Sequence, residues 1–297
     1  MFSTELVLQT AISGVMIGVL YALMALGITF IYSIMRMINW AMGEFYMIGS
    51  YLQYMLVAWA LGPELWWLAI LISTAGVFVL GLVVQWGLIK PIFRKPPELR
   101  DDYATVVTLA LLLFLRSVAT GLAGPNQFTP GSTLPIVMVG PMPLAGARVA
   151  AFLFALAALA IFWAVLRYTW YGLALRAASQ SRVGVQTAGI DVLTVDRIAF
   201  GIGVALAGLA GALLAPVFLV FPTNGLITTV KGFEIVVIGG LGSIPGALIA
   251  GILLGLVESF GAAFLDSAYQ NIYGFILVIA ILVLRPTGLF GERGREA

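Results

Sequence analysis

An amide and a carboxylate stand five residues apart in the apolar stretch INWAMGEFYMIGSY (38–51): Asn39 and Glu44, with Gly43 between them. Side chains of these types can hold a turn, or can hydrogen-bond a polar solute where water does not compete. Two further charges, Arg116 and Glu258, interrupt apolar runs elsewhere. An ionised group at the centre of a membrane helix costs ~2.5–3.5 kcal/mol even on a lenient insertion scale, so such groups are paired or functional. The question is what elements carry them.

The chain has 297 residues, of which 62% are hydrophobic and 9% charged. Soluble domains carry about 25% charged residues, so the composition is that of an all-α polytopic membrane protein. No polar stretch is long enough for a separate soluble domain, and 1–297 reads as one transmembrane domain. The chain contains no Cys and no His, which removes disulfides, the usual zinc sites, His-based acid–base catalysis and Cys nucleophiles. A net charge of +2 is too small to argue for nucleic acid.

Crossing the hydrocarbon core takes about 20 mostly apolar residues. Segments near 6–34, 44–61, 65–89, 103–123, 148–168, 198–221, 244–264 and 270–286 satisfy this, and a weaker, glycine-broken candidate lies at 226–241. The expectation is therefore eight to nine transmembrane helices. With no Lys or Arg before Arg36, the first apolar run reads as a span and not as a cleaved leader. Basic residues concentrate in cytoplasmic loops. Arg36, the run Lys90, Arg94, Lys95 and Arg100, the run Arg167, Arg176, Arg182 and Arg197, and the tail Arg285, Arg293 and Arg295 make 12 of the 15 basic residues. Placing all of them inside puts the N-terminus outside and the C-terminus inside, which requires an odd number of crossings.

Glycine supplies the next signal. GVMIG (Gly14, Gly18) and GILLG (Gly251, Gly255) are small-xxx-small patterns that let helix backbones approach. IGGLGSIPGALIAG (238–251) differs: Gly239, Gly240, Gly242 and Pro245, with Ser243 among them, stand too close together to continue a regular helix. Broken backbone at membrane depth is tolerated only against protein or water, so this stretch is expected to be a discontinuous element inside the bundle, beside a translocation pathway. With Asn39, Gly43 and Glu44 at the inner mouth of the bundle, these residues form the candidate pathway. For Asn39 and Glu44 two roles stand open: holding the turn between the first two crossings, or touching a passing solute. Arg116 lies thirteen residues beyond Tyr103 and Glu258 fourteen beyond Ile244, on segments leaving the same face. At about 1.5 Å per residue both sit roughly 20 Å up. Matched depth predicts an Arg116–Glu258 ion pair, as a lock between helices or as pathway lining, with snorkelling toward water as the alternative.

The longest inside loop, about 172–197, has its own organisation. Ser179 can cap a short helix, Val183, Val185, Thr187 and Ala188 give it an apolar side, and Gly189 followed by Ile190 suits a helix stop. A short amphipathic helix across this face can seat in a soluble partner, or rest on lipid headgroups.

Four stretches together resemble the permeases of branched-chain amino-acid-type ABC importers, and within them the shorter of the two permeases: GVLYALMALGITFIYSIMRMINWAMGEFYMIGSY (18–51), LRAASQSRVGVQTAGI (175–190), VIGGLGSIPGALIAGILLG (237–255) and LRPTGLFG (284–291). The resemblance covers essentially the whole chain. It implies a membrane heterodimer with a second homologous permease, two ATPase subunits on the cytoplasmic face, a periplasmic or extracellular solute-binding protein, and a bacterial inner-membrane location. It makes 175–190 the segment that couples to the ATPase, carried by Arg176, Gln180, Arg182, Gln186, Gly189 and Ile190. ATP and magnesium would sit on the partner subunits, and this chain would bear no cofactor, metal or catalytic residue; the GxxxxGK[ST] nucleotide loop is absent from it. Ser181 and Arg182 follow Gln180 where the family often has an acidic residue, and Trp40 and Met42 stand where Phe and often His occur; these departures bear on ATPase choice and on the solute. Branched-chain or other amino acids are the family default, with urea, amides and small organic or aromatic acids open. Outside that family, a stand-alone carrier or channel would need intramembrane charges for ion coupling, for which Glu44, Glu234, Glu258 and Arg116 are the candidates, and a membrane enzyme would need clustered acids, His or Cys.

Overall fold

A computed structural model describes residues 4–128, 134–139 and 142–291; Arg293 and Arg295 of the basic tail lie outside them. Eleven α-helices are present among the described residues: α1 Thr4–Met35, α2 Met42–Met55, α3 Trp66–Val84, α4 Arg100–Ala123, α5 Gly146–Tyr168, α6 Trp170–Gln180, α7 Arg182–Thr187, α8 Val192–Leu214, α9 Asn224–Gly239, α10 Ile244–Phe264 and α11 Gln270–Leu284. A wide helical turn, Leu56–Leu61, extends α2. The loop after α4 carries a two-stranded hairpin, Val137–Val139 with Met142–Leu144.

Seven helical stretches are long and apolar enough to cross a membrane among the described residues. They account for seven of the expected crossings. The other two expectations, 44–61 and 226–241, fall on α2, whose helix runs on through Leu56–Leu61 but is interrupted by the polar Glu44, Ser50 and Gln53, and on α9, whose 16 residues are too few by that measure. Their burial explains the weak signal. The centre of the bundle is α1, 89% buried over its most apolar window, with α8, while α11 is 6% buried over its own. α2 and α9 fill the space against α1 and α8, so they need no complete apolar surface for lipid.

The paired glycine patterns meet each other. A methyl group on Gly18 would stand 2.7 Å from Ile252 Cα, and one on Gly255 would stand 2.5 Å from Gly18 Cα. Without side chains there, α1 and α10 lie backbone to backbone, which suits helices associating by van der Waals contact in lipid.

One end of the bundle gathers the basic segments. Arg36 Nη2 donates to Ser179 O (3.4 Å), and Arg100 donates to Lys95 O (3.0 Å) and Phe93 O (3.2 Å). The glycine-rich stretch lies at this same end and not at mid-depth, which corrects the expected interruption inside the bundle. Gly239 is the last residue of α9, Gly240 (φ +98°) and Gly242 (φ +86°) reverse the chain, and Ser243 caps α10 by accepting from Gly246 N (3.1 Å), with Pro245 in the first turn. Proline is compatible with that position because its missing N–H would have no partner there. The break is therefore four residues, 240–243, that let α9 descend and α10 ascend.

The turn also explains LRPTGLFG. Leu289 N donates to Ile238 O (2.8 Å) and Phe290 N to Gly239 O (3.0 Å), so the C-terminal segment satisfies carbonyls that the end of α9 leaves open. A side chain on Gly240 would collide with the backbone of Gly291 and Phe290. Gly240→Ala should therefore combine the left-handed backbone cost of ~1–2 kcal/mol with an overpacking cost of ~1–3 kcal/mol. Gly62→Ala is the reference, since Gly62 also has positive φ (+73°) but nothing within 4 Å. Thermal unfolding in detergent should show the larger drop for Gly240→Ala; equal drops would mean that 286–291 is not clamped there.

Candidate functional site

Segment 36–41 places the first site. Arg36 adopts φ +54° and ends α1, its N–H donating to Tyr32 O (2.9 Å). The chain then re-enters the bundle. Asn39 is buried and accepts from Ala41 N (3.0 Å), folding the backbone into the start of α2, while its Nδ2 lies 3.3 Å from Met42 Sδ. Gly43 N donates to Thr229 Oγ1 (3.0 Å), and a Cβ on Gly43 would strike the Gly225 carbonyl. The glycine thus lets α2 start directly against α9.

Glu44, in the first turn of α2 and fully buried, accepts from Arg116 Nη2 at 3.2 Å. A carboxylate there is also favoured by the helix dipole. Arg116 lies sixteen residues along α4 from Arg100, about 24 Å at 1.5 Å per residue. Glu44 therefore lies deeper than the loop position of Arg36 suggested, because 36–41 climbs back into the protein. Among the described residues, Glu44 Oε2 has no hydrogen-bond partner.

Glu258 has other partners. It pairs with Lys231 of α9, accepts from Gln270 Nε2 (3.3 Å) and Tyr21 Oη (3.4 Å), and is 1% exposed. The expected Arg116–Glu258 pair does not form: equal depth placed the two on a common level, but α4 packs beside α2 while α10 packs against α1, α9 and α11. Lys231 is the residue that sequence reasoning missed. It lies in the weak segment 226–241, and its signal was a single lysine in the run NGLITTVKGFEIVVIG. Above the pair opens a cavity of about 320 Å³, reached by Tyr21, Lys231 and Gln270 and walled by Phe218 and Ile227. Its lining from the end of α8 and the start of α11 puts it toward the end opposite the basic one.

At the basic end, 170–190 forms two helices where one was expected. Thr169 caps α6 by accepting from Gly172 N (3.0 Å), and Ser181, not Ser179, caps α7 by accepting from Gly184 N (3.0 Å). After α7, Gly189 (φ +77°) donates to Gln186 O (3.0 Å) and Ile190 to Val185 O (3.1 Å), the paired bonds of a Schellman stop. Arg182 faces inward: it bonds Asp196 Oδ2 (2.6 Å) and Ile34 O (3.1 Å) and lies over the Phe93 ring. It anchors the segment from the inside while part of its side chain stays at the surface. Asp196, which supplies the counter-charge, was overlooked among the basic residues of its loop. At the start of α8, Asp191 accepts from the Thr194 hydroxyl (2.6 Å), which holds its carboxyl below the usual carboxylate range. Gln180 and Gln186 are exposed, Val183 is 69% exposed, and Arg176 is exposed with its Nε on Gly172 O.

These features define a polytopic membrane protein with buried ion pairs in its helix core and a braced two-helix platform on its basic face. The chain belongs to the family of branched-chain amino acid transport system permease components, whose model matches residues 10–284. Among curated proteins it is 32% identical to the high-affinity branched-chain amino acid transport system permease protein LivH of Escherichia coli K12, over 96% of both chains. It is 29% identical to BraD of Pseudomonas aeruginosa over 96% of both. It is 30% identical to a probable branched-chain amino acid transport permease protein LivH of Methanocaldococcus jannaschii, over 92% of this chain and 89% of that one. No solved structure matches the chain.

Proposed function

We propose that this chain is the transmembrane permease subunit of an ATP-driven importer and forms half of the pathway for a small polar solute, branched-chain or other amino acids. The observation that carries the coupling role is the α6–α7 platform: capped at each helix start, stopped by Gly189, anchored through Arg182 to Asp196, and presenting Gln180, Val183 and Gln186 outward. A segment held this firmly transmits a push, which a loosely attached lipid-resting helix would not. The match to a branched-chain amino acid transport system permease family supports the importer reading. The basic end is taken as cytoplasmic, so α6 and α7 meet an ATPase subunit there, the N-terminus is outside, and the cavity near Lys231 opens outward. Nucleotide and magnesium belong to two ATPase subunits, a second permease completes the passage, a solute-binding protein delivers the cargo, and the assembly sits in a bacterial inner membrane.

Cysteines introduced singly at Gln180 and Gln186 test this by crosslinking. Each is expected to form a disulfide with a cysteine in a groove of the ATPase co-expressed with the permease. Labelling of both positions only by lipid-phase reagents would assign α7 to the headgroup layer instead.

A further inference from the structure

The cavity meets the Lys231–Glu258 pair from its cationic side. Among the described residues that line it, Lys231 alone carries a charge; Glu258 and Glu234 are buried and form no part of the lining. An ammonium has three donors. Among the described residues Glu258 is the one acceptor bonded to Lys231, and Nζ lies 5.6 Å from the centre of the Tyr21 ring. The lysine side chain is 11% exposed and stands in the cavity wall, so its remaining donors can reach a guest there.

One face of α9 sets the spacing. Asn224, Ile227, Thr228 and Lys231 line the cavity at three- and four-residue intervals. Ile227 and Lys231 are therefore about 6 Å apart along the helix axis, at ~1.5 Å per residue, which suits a small aliphatic amino acid stretched from its carboxylate to its branch. The exposed side chains of Phe218 and Leu219 extend the apolar wall from Ile227. Among the described residues no side chain caps the start of α9, so the positive end of its dipole adds to the lysine. The cavity volume, about 320 Å³, lies at the small end of the ~300–1,000 Å³ range of ligand pockets. A carboxylate guest gains charge-assisted hydrogen bonds from the ammonium, roughly twice as strong as neutral ones. An ammonium guest would be repelled by Lys231 and would meet no carboxylate on the described wall.

We infer that the cavity holds the carboxylate of an aliphatic amino acid on Lys231, with the side chain of that amino acid against Phe218 and Ile227. This rests on the permease reading and adds a subsite to it. Selection for the acid end of the solute then resides partly in the membrane subunit.

The chain has no cysteine, so a single Ile227→Cys or, separately, Phe218→Cys reports on the cavity. The permease and ATPase subunits are purified together in detergent without the solute-binding protein, which would bind the probes itself, and labelling of this chain by a water-soluble maleimide is timed. The probes are L-leucine, 4-methylpentanoate, which keeps the carboxylate, and 3-methylbutylamine, which keeps the ammonium. Leucine and 4-methylpentanoate should halve the labelling rate at concentrations at least tenfold below any at which the amine does. With Lys231→Met and Glu258→Gln added, that protection should need at least tenfold more of either acid. Should this combined variant misfold, the ranking of the three probes on the single-cysteine proteins decides. No labelling in the absence of probe, no protection by 4-methylpentanoate, equal protection by the amine, or unchanged protection in the folded combined variant overturns the subsite. ATP-driven leucine uptake by the reconstituted wild-type assembly, with its solute-binding protein, is measured in parallel. Uptake without protection removes the subsite and leaves the permease reading, whereas no uptake removes the permease reading itself.

Discussion

Arg116→Leu should lower the stability of the assembled protein by about 3–5 kcal/mol, the usual consequence of stranding one member of a buried ion pair. The size follows from Glu44, which is fully buried and, among the described residues, has no other charged partner and one oxygen without a hydrogen bond. Loss of the guanidinium leaves a bare carboxylate between α2 and α9. The reverse change is less severe. Glu44→Gln leaves Arg116, whose side chain is 23% exposed and whose long stem lets the head reach polar surroundings. The pair should thus be asymmetric, with Arg116→Leu worse than Glu44→Gln, and the double variant should recover much of the loss. Yield of folded complex and thermal unfolding in detergent measure this. Additive losses in the double variant would show that the two side chains contribute independently.

Lys231→Met should be the second most damaging single change, near the lower end of the same ~3–5 kcal/mol range. Here the stranded carboxylate keeps help: Glu258 still accepts from Tyr21 and Gln270, at 3.4 and 3.3 Å. The double change Lys231→Met with Glu258→Gln removes both charges and should restore assembly. Uptake should not return with it, because the double variant also removes the Lys231 ammonium from the lining of the cavity. Uptake at wild-type rates in the double variant would make the Lys231–Glu258 pair a purely structural lock between α9 and α10.

Much of this was legible in the residues. The apolar runs placed the seven long helices because a crossing helix must be apolar over its whole exposed surface. The two glycine pairs marked the α1–α10 contact, since only small residues let backbones approach so closely. Gly189 marked the end of α7 through its left-handed conformation. The buried carboxylates Glu44 and Glu258 announced themselves by cost alone.

Their partners did not. Depth along a helix follows from counting residues, but the direction in which a side chain points around the bundle depends on which helices are neighbours. That is why Arg116 found Glu44 and not Glu258, and why Lys231, in a segment too short to count as a span, became Glu258's partner. The re-entry of 36–41 was hidden for a related reason: an extended stretch of six residues reaches ~20 Å, and composition does not say whether it runs along the surface or back into the protein. Arg182 reads equally well as a surface contact or an anchor until Asp196, Ile34 and Phe93 are brought around it. The sequence by itself determined a helical membrane protein of the branched-chain permease family, its main spans and the residues whose burial needs an explanation. Only the tertiary structure decided how they pair and where they converge, because pairing depends on angles around helix axes that no linear spacing encodes.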